Sequence, residues 1–237
     1  MTKNFIYYLA AIGNPNFDKK IEFLNQNLNC IHQYYSSYDI FINCYDELPI
    51  ESFVNKEKFP FLNNIIIVRK QGILSQLWIN NPKHSLLQEY DYILFILDDI
   101  LLKSFHIPRL IKMKINRNLQ FISPIVENST WPFMRNNKYS NLFQKTKRLE
   151  IYCFLLTYND FISFLDLNTL ENYNIWGVDY MMTHKNISCG LSTKDIVIHS
   201  LPSGSNHDLA LEQMNEYFNR NGFTNRNEFL KIYPDPI

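Results

Sequence analysis

The chain has 237 residues and a mass of 28.3 kDa, enough for one α/β domain with a full core and too long for a disulfide mini-protein. Lys and Arg number 23, and Asp and Glu also number 23, so the formal charge is zero. That excludes the basic excess by which a nucleic-acid binder holds phosphates, and 46% apolar residues with 19% charged exclude disorder by composition.

The four cysteines, Cys30, Cys44, Cys153 and Cys189, form no CxxC pair, which argues against a zinc ribbon and for reduced thiols. No run reaches the roughly 18 apolar residues of a membrane span. The N-terminal apolar run ends in the turn Gly13-Asn14-Pro15, not in a cleavage site, so the expectation is a cytoplasmic protein, or else a lumenal domain clipped from its anchor.

Phe5–Ile12 is a compact apolar run and predicts a first buried strand. Phe17–His32 carries Ile21, Phe23, Leu24, Leu28 and Ile31 at helical spacing. Residues 38–45 predict a second strand, ending in Asp46-Glu47, and 64–68 a third, followed by Arg69-Lys70. A short helix is expected over 73–79. Residues 91–97 (DYILFIL) are the most hydrophobic run, predict a central strand and end in Asp98-Asp99. Pro108 marks a helix start within 106–119. A strand over 119–126, a long polar loop over 128–147, a strand over 149–156 and a helix over 159–165 capped by Asn159 follow. The run 195–199 (DIVIH) predicts a late strand, and the chain beyond 208 is helical at first. Strands alternating with helices predict an α/β fold, with a mostly parallel central sheet and helices on both faces.

The six glycines are isolated, so GxGxxG, GxxxxGK[ST] and GxSxG are all missing. A dinucleotide-binding turn, a P-loop and a nucleophile elbow are excluded. No HExxH marks a metalloprotease.

Three places carry chemistry. Asp98 and Asp99 follow directly on an apolar strand, and the carboxyl ends of parallel strands line the ligand crevice. Adjacent buried carboxylates repel, and a divalent cation such as Mg²⁺ or Mn²⁺ relieves that repulsion. The alternative is an N-cap, with Asp99 accepting from free amides of a following helix. Trp176-Gly177-Val178-Asp179 forms a tight turn with a bulky wall, and Asp179 at a helix start is either a general base or a cap. His199 ends an apolar strand and is either a metal ligand or a structural histidine.

In that order, the strand-end acids, the WGxD turn and the late histidine resemble nucleotide-sugar glycosyltransferases of the GT-A fold. YILFILDDI (92–100), FISPI (121–125), IWGVD (175–179) and IVIHSLPSG (196–204) are more closely similar to a little-studied family. That family is abundant in plants, was once described as lysine-ketoglutarate-reductase-like, and is assigned to the glycosyltransferases. It carries an acidic strand-end motif, an ISQP segment, a WGLD motif and an IVHLGLP segment. The resemblance covers residues 90–204. The family motif is closer to D-E-D-L, and Leu97 stands here in place of its first acid.

The resemblance implies a single GT-A-like (Rossmann-like) domain: a nucleotide-binding half over 1–99, an acceptor and metal half over 100–207, and a helical tail over 208–237. It implies one Mn²⁺ or Mg²⁺ held by Asp99 and His199, with Asp98 at the ribose or a metal-bound water. A nucleoside diphosphate sugar, UDP favoured, is the implied donor. A hydroxyl of a glycan or other acceptor takes the sugar, with Asp179 as base and inversion at the anomeric carbon. On the donor side the fold implies Ala11, Ile12 and Gly13 beneath the base or ribose. Asp46 would accept from uracil N3–H, and Arg69 and Lys70 would reach base or phosphate. Trp131, Arg135, Glu150 and Trp176 would border the acceptor, Glu150 from the strand after the long loop. No nucleic-acid partner is expected.

Overall fold

A computed structural model describes residues 4–70, 74–79, 81–129, 132–135, 141–199 and 207–234. Nine strands form one sheet among them. They are β1 (Phe5–Ile12), β2 (Tyr38–Cys44), β3 (Leu62–Arg69), β4 (Tyr92–Ile96), β5 (Ile100–Ser104), β6 (Phe121–Glu127), β7 (Phe143–Thr146), β8 (Cys153–Leu156) and β9 (Cys189–His199). The helices are α1 (Phe17–His32), α2 (Leu74–Trp78), α3 (Ile107–Asn116), α4 (Pro132–Arg135), α5 (Tyr158–Leu165), α6 (Val178–His184), α7 (His207–Arg220) and α8 (Arg226–Ile232).

The strand order is β3-β2-β1-β4-β8-β6-β9-β5, with β7 also on β9. β1 pairs in parallel with β2 and β4, and β2 with β3. β8 then runs antiparallel to both β4 and β6, while β9 is parallel to β6. The α/β class is the one read from the sequence, but the sheet is mixed where a mostly parallel one was expected: among the described residues four strand pairings are parallel, three of them joining β1 to β4, and four are antiparallel. Every residue of β1, β2 and β4 is buried, as expected of strands covered on both faces. Successive side chains of β1 serve opposite layers. Phe5 stacks on Tyr35 just beyond α1, with centroids 4.4 Å apart. Tyr8 points the other way, between Phe41, Phe95 and Phe161 of the α5 side.

Four local outcomes differ from the expectations. The segment directly after Asp99 is a strand, β5, which pairs antiparallel with the end of β9. Its free edge is closed by a side chain: Asn27 of α1 donates to Ile100 O and accepts from Leu102 N, both at 2.8 Å. The polar loop over 128–147 contains α4 and β7, the latter held by pairing with Cys189–Ser192. The strand expected over 149–156 starts only at Cys153, which leaves Glu150 in a loop. The cap of α5 is Thr157, in a capping box with Asp160, and Asn159 lies inside the helix.

β9 is longer than expected and changes partners midway, from β7 to β5, at a register shift. Asp195 sits in that shift, fully buried. Arg109 of α3 grips it bidentately, Nε to Oδ2 at 2.9 Å and Nη2 to Oδ1 at 2.7 Å. This ion pair fixes the bulge from which the last residues of β9 run to His199. All four cysteines are free. No helix of the described residues is long and apolar enough to cross a membrane.

Candidate active site

Asp98 and Asp99 occupy the turn between β4 and β5. Because Ile100 stands opposite His199 in the β5–β9 ladder, this long-range strand pairing delivers Asp99 beside His199. His199 Nε2 lies 2.9 Å from Asp99 Oδ2. Asp99 Oδ1 is buried with no hydrogen-bond partner. The N-cap alternative for Asp99 fails, since a strand follows it. His199 stacks on Tyr152, centroids 4.4 Å apart, and Tyr152 O in turn accepts from Leu97 N at 3.0 Å. Burial works against the charged imidazole, but the bond to Asp99 and the carboxylates of Asp99 and Glu150 outweigh it and raise the His199 pKa.

Asp98 has a different environment. Its Oδ2 lies 2.8 Å from Nζ of Lys20, on α1. Burial pushes the Asp98 carboxyl up to about 7, against the pull of Lys20. Lys20 Nζ also donates to Gly13 O and to the Tyr45 hydroxyl, both at 2.9 Å. The sequence reading passed over Lys20. Its one signal was helical phase, because it falls on the same buried face as Phe17, Ile21 and Leu24.

Asp179 stands in the first turn of α6. Gly177 caps that helix at φ 90°, a left-handed conformation suited to glycine. A Cβ at Gly177 would meet Met214 Cγ at 3.1 Å, so the turn is pressed against α7. Burial pushes the Asp179 carboxyl up to about 6; Arg148 pulls it down and Glu150 pushes it up. Arg148 is itself buried, with its guanidinium 3.9 Å from the ring centroid of Tyr180. Glu150 accepts from the Ser129 hydroxyl. Tyr152 joins the two groups of acids: its pKa is raised by burial and by the charges of Glu150, Asp99 and Asp179. It too was missed, being one aromatic among many.

The other expected site residues are placed as follows. Ala11 is buried in β1. Gly13 abuts the ring of Tyr45, to which a Cβ would come within 2.4 Å. Asp46 accepts from Asn14 N at 2.8 Å and Leu48 N at 3.1 Å, so its carboxylate holds its own loop. Arg69 donates to Leu48 O at 2.8 Å and Asp46 O at 3.2 Å, and pairs with Glu51 at 2.5 Å. Lys70 is exposed. Trp176 is half-buried and edge-on to His207, at 5.2 Å between centroids. Arg135 is exposed at the end of α4. Trp131 lies outside the described residues, as do residues 200–204 of the IVIHSLPSG segment.

Among the described residues no group of three or more His, Cys, Asp or Glu forms a metal cluster. Asp99 and His199 supply one carboxylate and one imidazole, and the unpartnered Asp99 Oδ1 fits a hard divalent cation completed by phosphate and water oxygens.

No protein-family model matches this chain, and no curated protein matches it in sequence. Among solved structures it is similar to GalNAc-T7, crystallised with UDP, GalNAc and Mn²⁺, at a TM-score of 0.60 and 8% identity. The match covers 92% of this chain and 48% of that one, so the chain spans about half the length of its structural neighbour. At this identity the likeness is one of fold, and that fold is the GT-A-like fold of glycosyltransferases.

Proposed function

We propose that the chain is a glycosyltransferase. It would move a sugar from a nucleoside diphosphate sugar, UDP favoured, to a hydroxyl of a glycan or other acceptor. The observation that carries this reading is the pairing of Asp99 with His199, stacked on Tyr152, with Glu150 and Asp179 near enough for their charges to act on the same phenol. The GT-A-like fold supports it, and so does the neighbour's title, which names UDP and Mn²⁺. Residues 1–99 provide the donor half and 100–207 the acceptor half. The likeness of the WGVD and IVIHSLP segments to the plant-abundant family belongs to the same proposal.

Asp99 and His199 hold the cation. When bound, a divalent cation neutralises charge on a leaving diphosphate. Ala11 and Gly13, at the end of β1, would lie beneath the base or ribose, with the Tyr45 ring packed on Gly13. Asp98, fixed by Lys20, borders the same floor. Asp179 accepts the acceptor's proton as that oxygen attacks the anomeric carbon from the face opposite the diphosphate, giving inversion. A carboxyl held near 6 is largely ionised at neutral pH yet basic enough to take a proton. Glu150 orients the acceptor, and Trp176, with Trp131 and Arg135, borders it.

Thermal unfolding tests the donor site. A nucleotide at ~100 times its Kd with Mn²⁺ stabilises the fold by about 2.7 kcal/mol. The expected result is a rise in Tm with one of UDP, GDP or CMP that needs Mn²⁺ and disappears in Asp99→Ala. No rise with any nucleotide would sink the transferase reading. Leu97, an apolar residue where the family has an acid, favours a second reading: a nucleotide-binding protein without turnover. Release of free nucleotide from the donor separates the two.

A further inference from the structure

Lys20 has no part in the transfer chemistry, yet it is the most completely bound ammonium beside the site. Only 9% of its side chain is exposed. Its Nζ donates to Gly13 O and Tyr45 Oη, both at 2.9 Å, and forms an ion pair with Asp98 Oδ2 at 2.8 Å. Those oxygens stand at the ends of β1, β2 and β4, which are neighbours in the sheet. Lys19, one residue earlier, shows the ordinary alternative: an ion pair with Glu22 at 2.7 Å, about half exposed at both ends. A buried lysine is costly to place unless its charge is needed there.

The two adjacent acids differ accordingly. Asp98 is ion-paired with a cation the protein carries, whereas Asp99 lies beside the His199 imidazole; each acid keeps a buried oxygen outside any hydrogen bond, Asp98 Oδ2 and Asp99 Oδ1. We infer that Lys20 is a resident cation that holds Asp98 out of the metal shell, so the site takes one divalent ion through Asp99 and His199 alone. This deepens the proposed function and rests on it for the presence of the metal. Lys20 is a positioning residue: it touches neither donor nor acceptor, and it sets the charge of the floor. Counted with both carboxyls ionised, the acid pair with Lys20 carries −1 and without it −2; burial pushes the Asp98 carboxyl up, so without Lys20 a bound cation would also have to displace its proton.

The consequence runs opposite to ordinary damage. Loss of Lys20 frees Asp98 as a second carboxylate and removes a repelling charge, so divalent-cation affinity rises. The test is Mn²⁺ binding to the full chain at pH 8 without nucleotide, read by electron paramagnetic resonance, with circular dichroism to confirm folding. In Lys20→Met the Mn²⁺ Kd should tighten about tenfold or more. Lys20→Gln, which keeps N–H donors but no charge, should tighten it likewise and serves if Lys20→Met fails to fold. Lys20→Arg, which keeps the charge, should stay near the wild-type value. The double variant Lys20→Met with Asp98→Asn should lose the gain. A Kd unchanged or weaker in the folded neutral variants overturns the inference, as does absence of Mn²⁺ binding throughout. Tight binding in the neutral variants with none in the wild type upholds the role of Lys20 and rejects the metal-dependent transferase. Wild-type binding of Mn²⁺ and UDP with no gain in the neutral variants does the reverse.

Discussion

Beyond the ends of β1, β2 and β3, charged side chains close on one another. Lys20 meets Asp98, Asp46 meets two backbone amides, and Arg69 meets Glu51 and two carbonyls. At the start of α6, Asp179 is buried with the charges of Arg148 and Glu150 acting on it, and burial pushes its carboxyl up to about 6. The first region is a floor built rigid by satisfied pairs. The second holds carboxylates against their preference for water, and groups held that way are the ones available for proton transfer. The comparison also separates two kinds of buried charge, one neutralised by the fold and one left for a ligand.

The sharpest way to break this contrast is Asp179→Asn. Transfer should fall about 10²–10⁴-fold, the range of general base catalysis, while nucleotide-induced stabilisation stays at its wild-type value. Full activity in that variant would remove Asp179 from the base role. Titration gives the next largest effect. The folded carboxyl is raised to about 6 from an unfolded value of 3.8, so the native state binds this proton more tightly. Its contribution to stability is therefore complete below pH 3.8 and is lost as pH rises through about 6, by about 3 kcal/mol in all. Denaturation in urea across that range should show the fall in wild type and a flatter profile in Asp179→Asn. The activity profile should run the other way, kcat/KM rising through pH ~6 as the base ionises.

Gly177→Ala probes the turn that aims Asp179. A Cβ at φ 90° against Met214 should destabilise the protein by about 1–3 kcal/mol, read as a lower urea midpoint. An unchanged midpoint would mean that α7 yields and the turn is not set by packing. The smallest effects separate two neighbouring cations. Arg69→Ala removes bonds to two carbonyls and should lower stability by about 1 kcal/mol, whereas Lys70→Ala should leave Tm unchanged and alter only donor KM, by about a few-fold. A drop in Tm for Lys70→Ala would mean that the donor floor extends to it.

The elements β1, α1 and β2 were legible with nearly correct bounds, because a compact apolar run and a 3.6-residue period are local signals. β5 and β7 were not. Ile100–Ser104 follows the acid pair as a short apolar stretch, and Phe143–Thr146 is mostly polar; each is a strand only because β9 lies beside it. The cap of α5 was misplaced by two residues because Asn159 and Thr157 are both good caps, and the side chain of Asp160 decides between them. Asp99, His199 and Asp179 were found as strand-end and helix-start residues. Lys20 and Tyr152 were not, since nothing beside them in the chain separates them from Lys19 or the other tyrosines.

By itself the sequence determined the alternation of strands and helices, the buried central strands, and three positions where polar chemistry ends an apolar run. These follow from short-range periodicity and from the cost of burying carboxylates. Tertiary structure alone decided that the pairing of β5 with β9 brings Asp99 beside His199, that Lys20 forms the ion pair with Asp98, and that Asp46 and Arg69 serve their own loop. Those choices depend on which distant groups arrive within 3 Å, and the energy of a buried charge is set by its partners rather than by its neighbours in the chain.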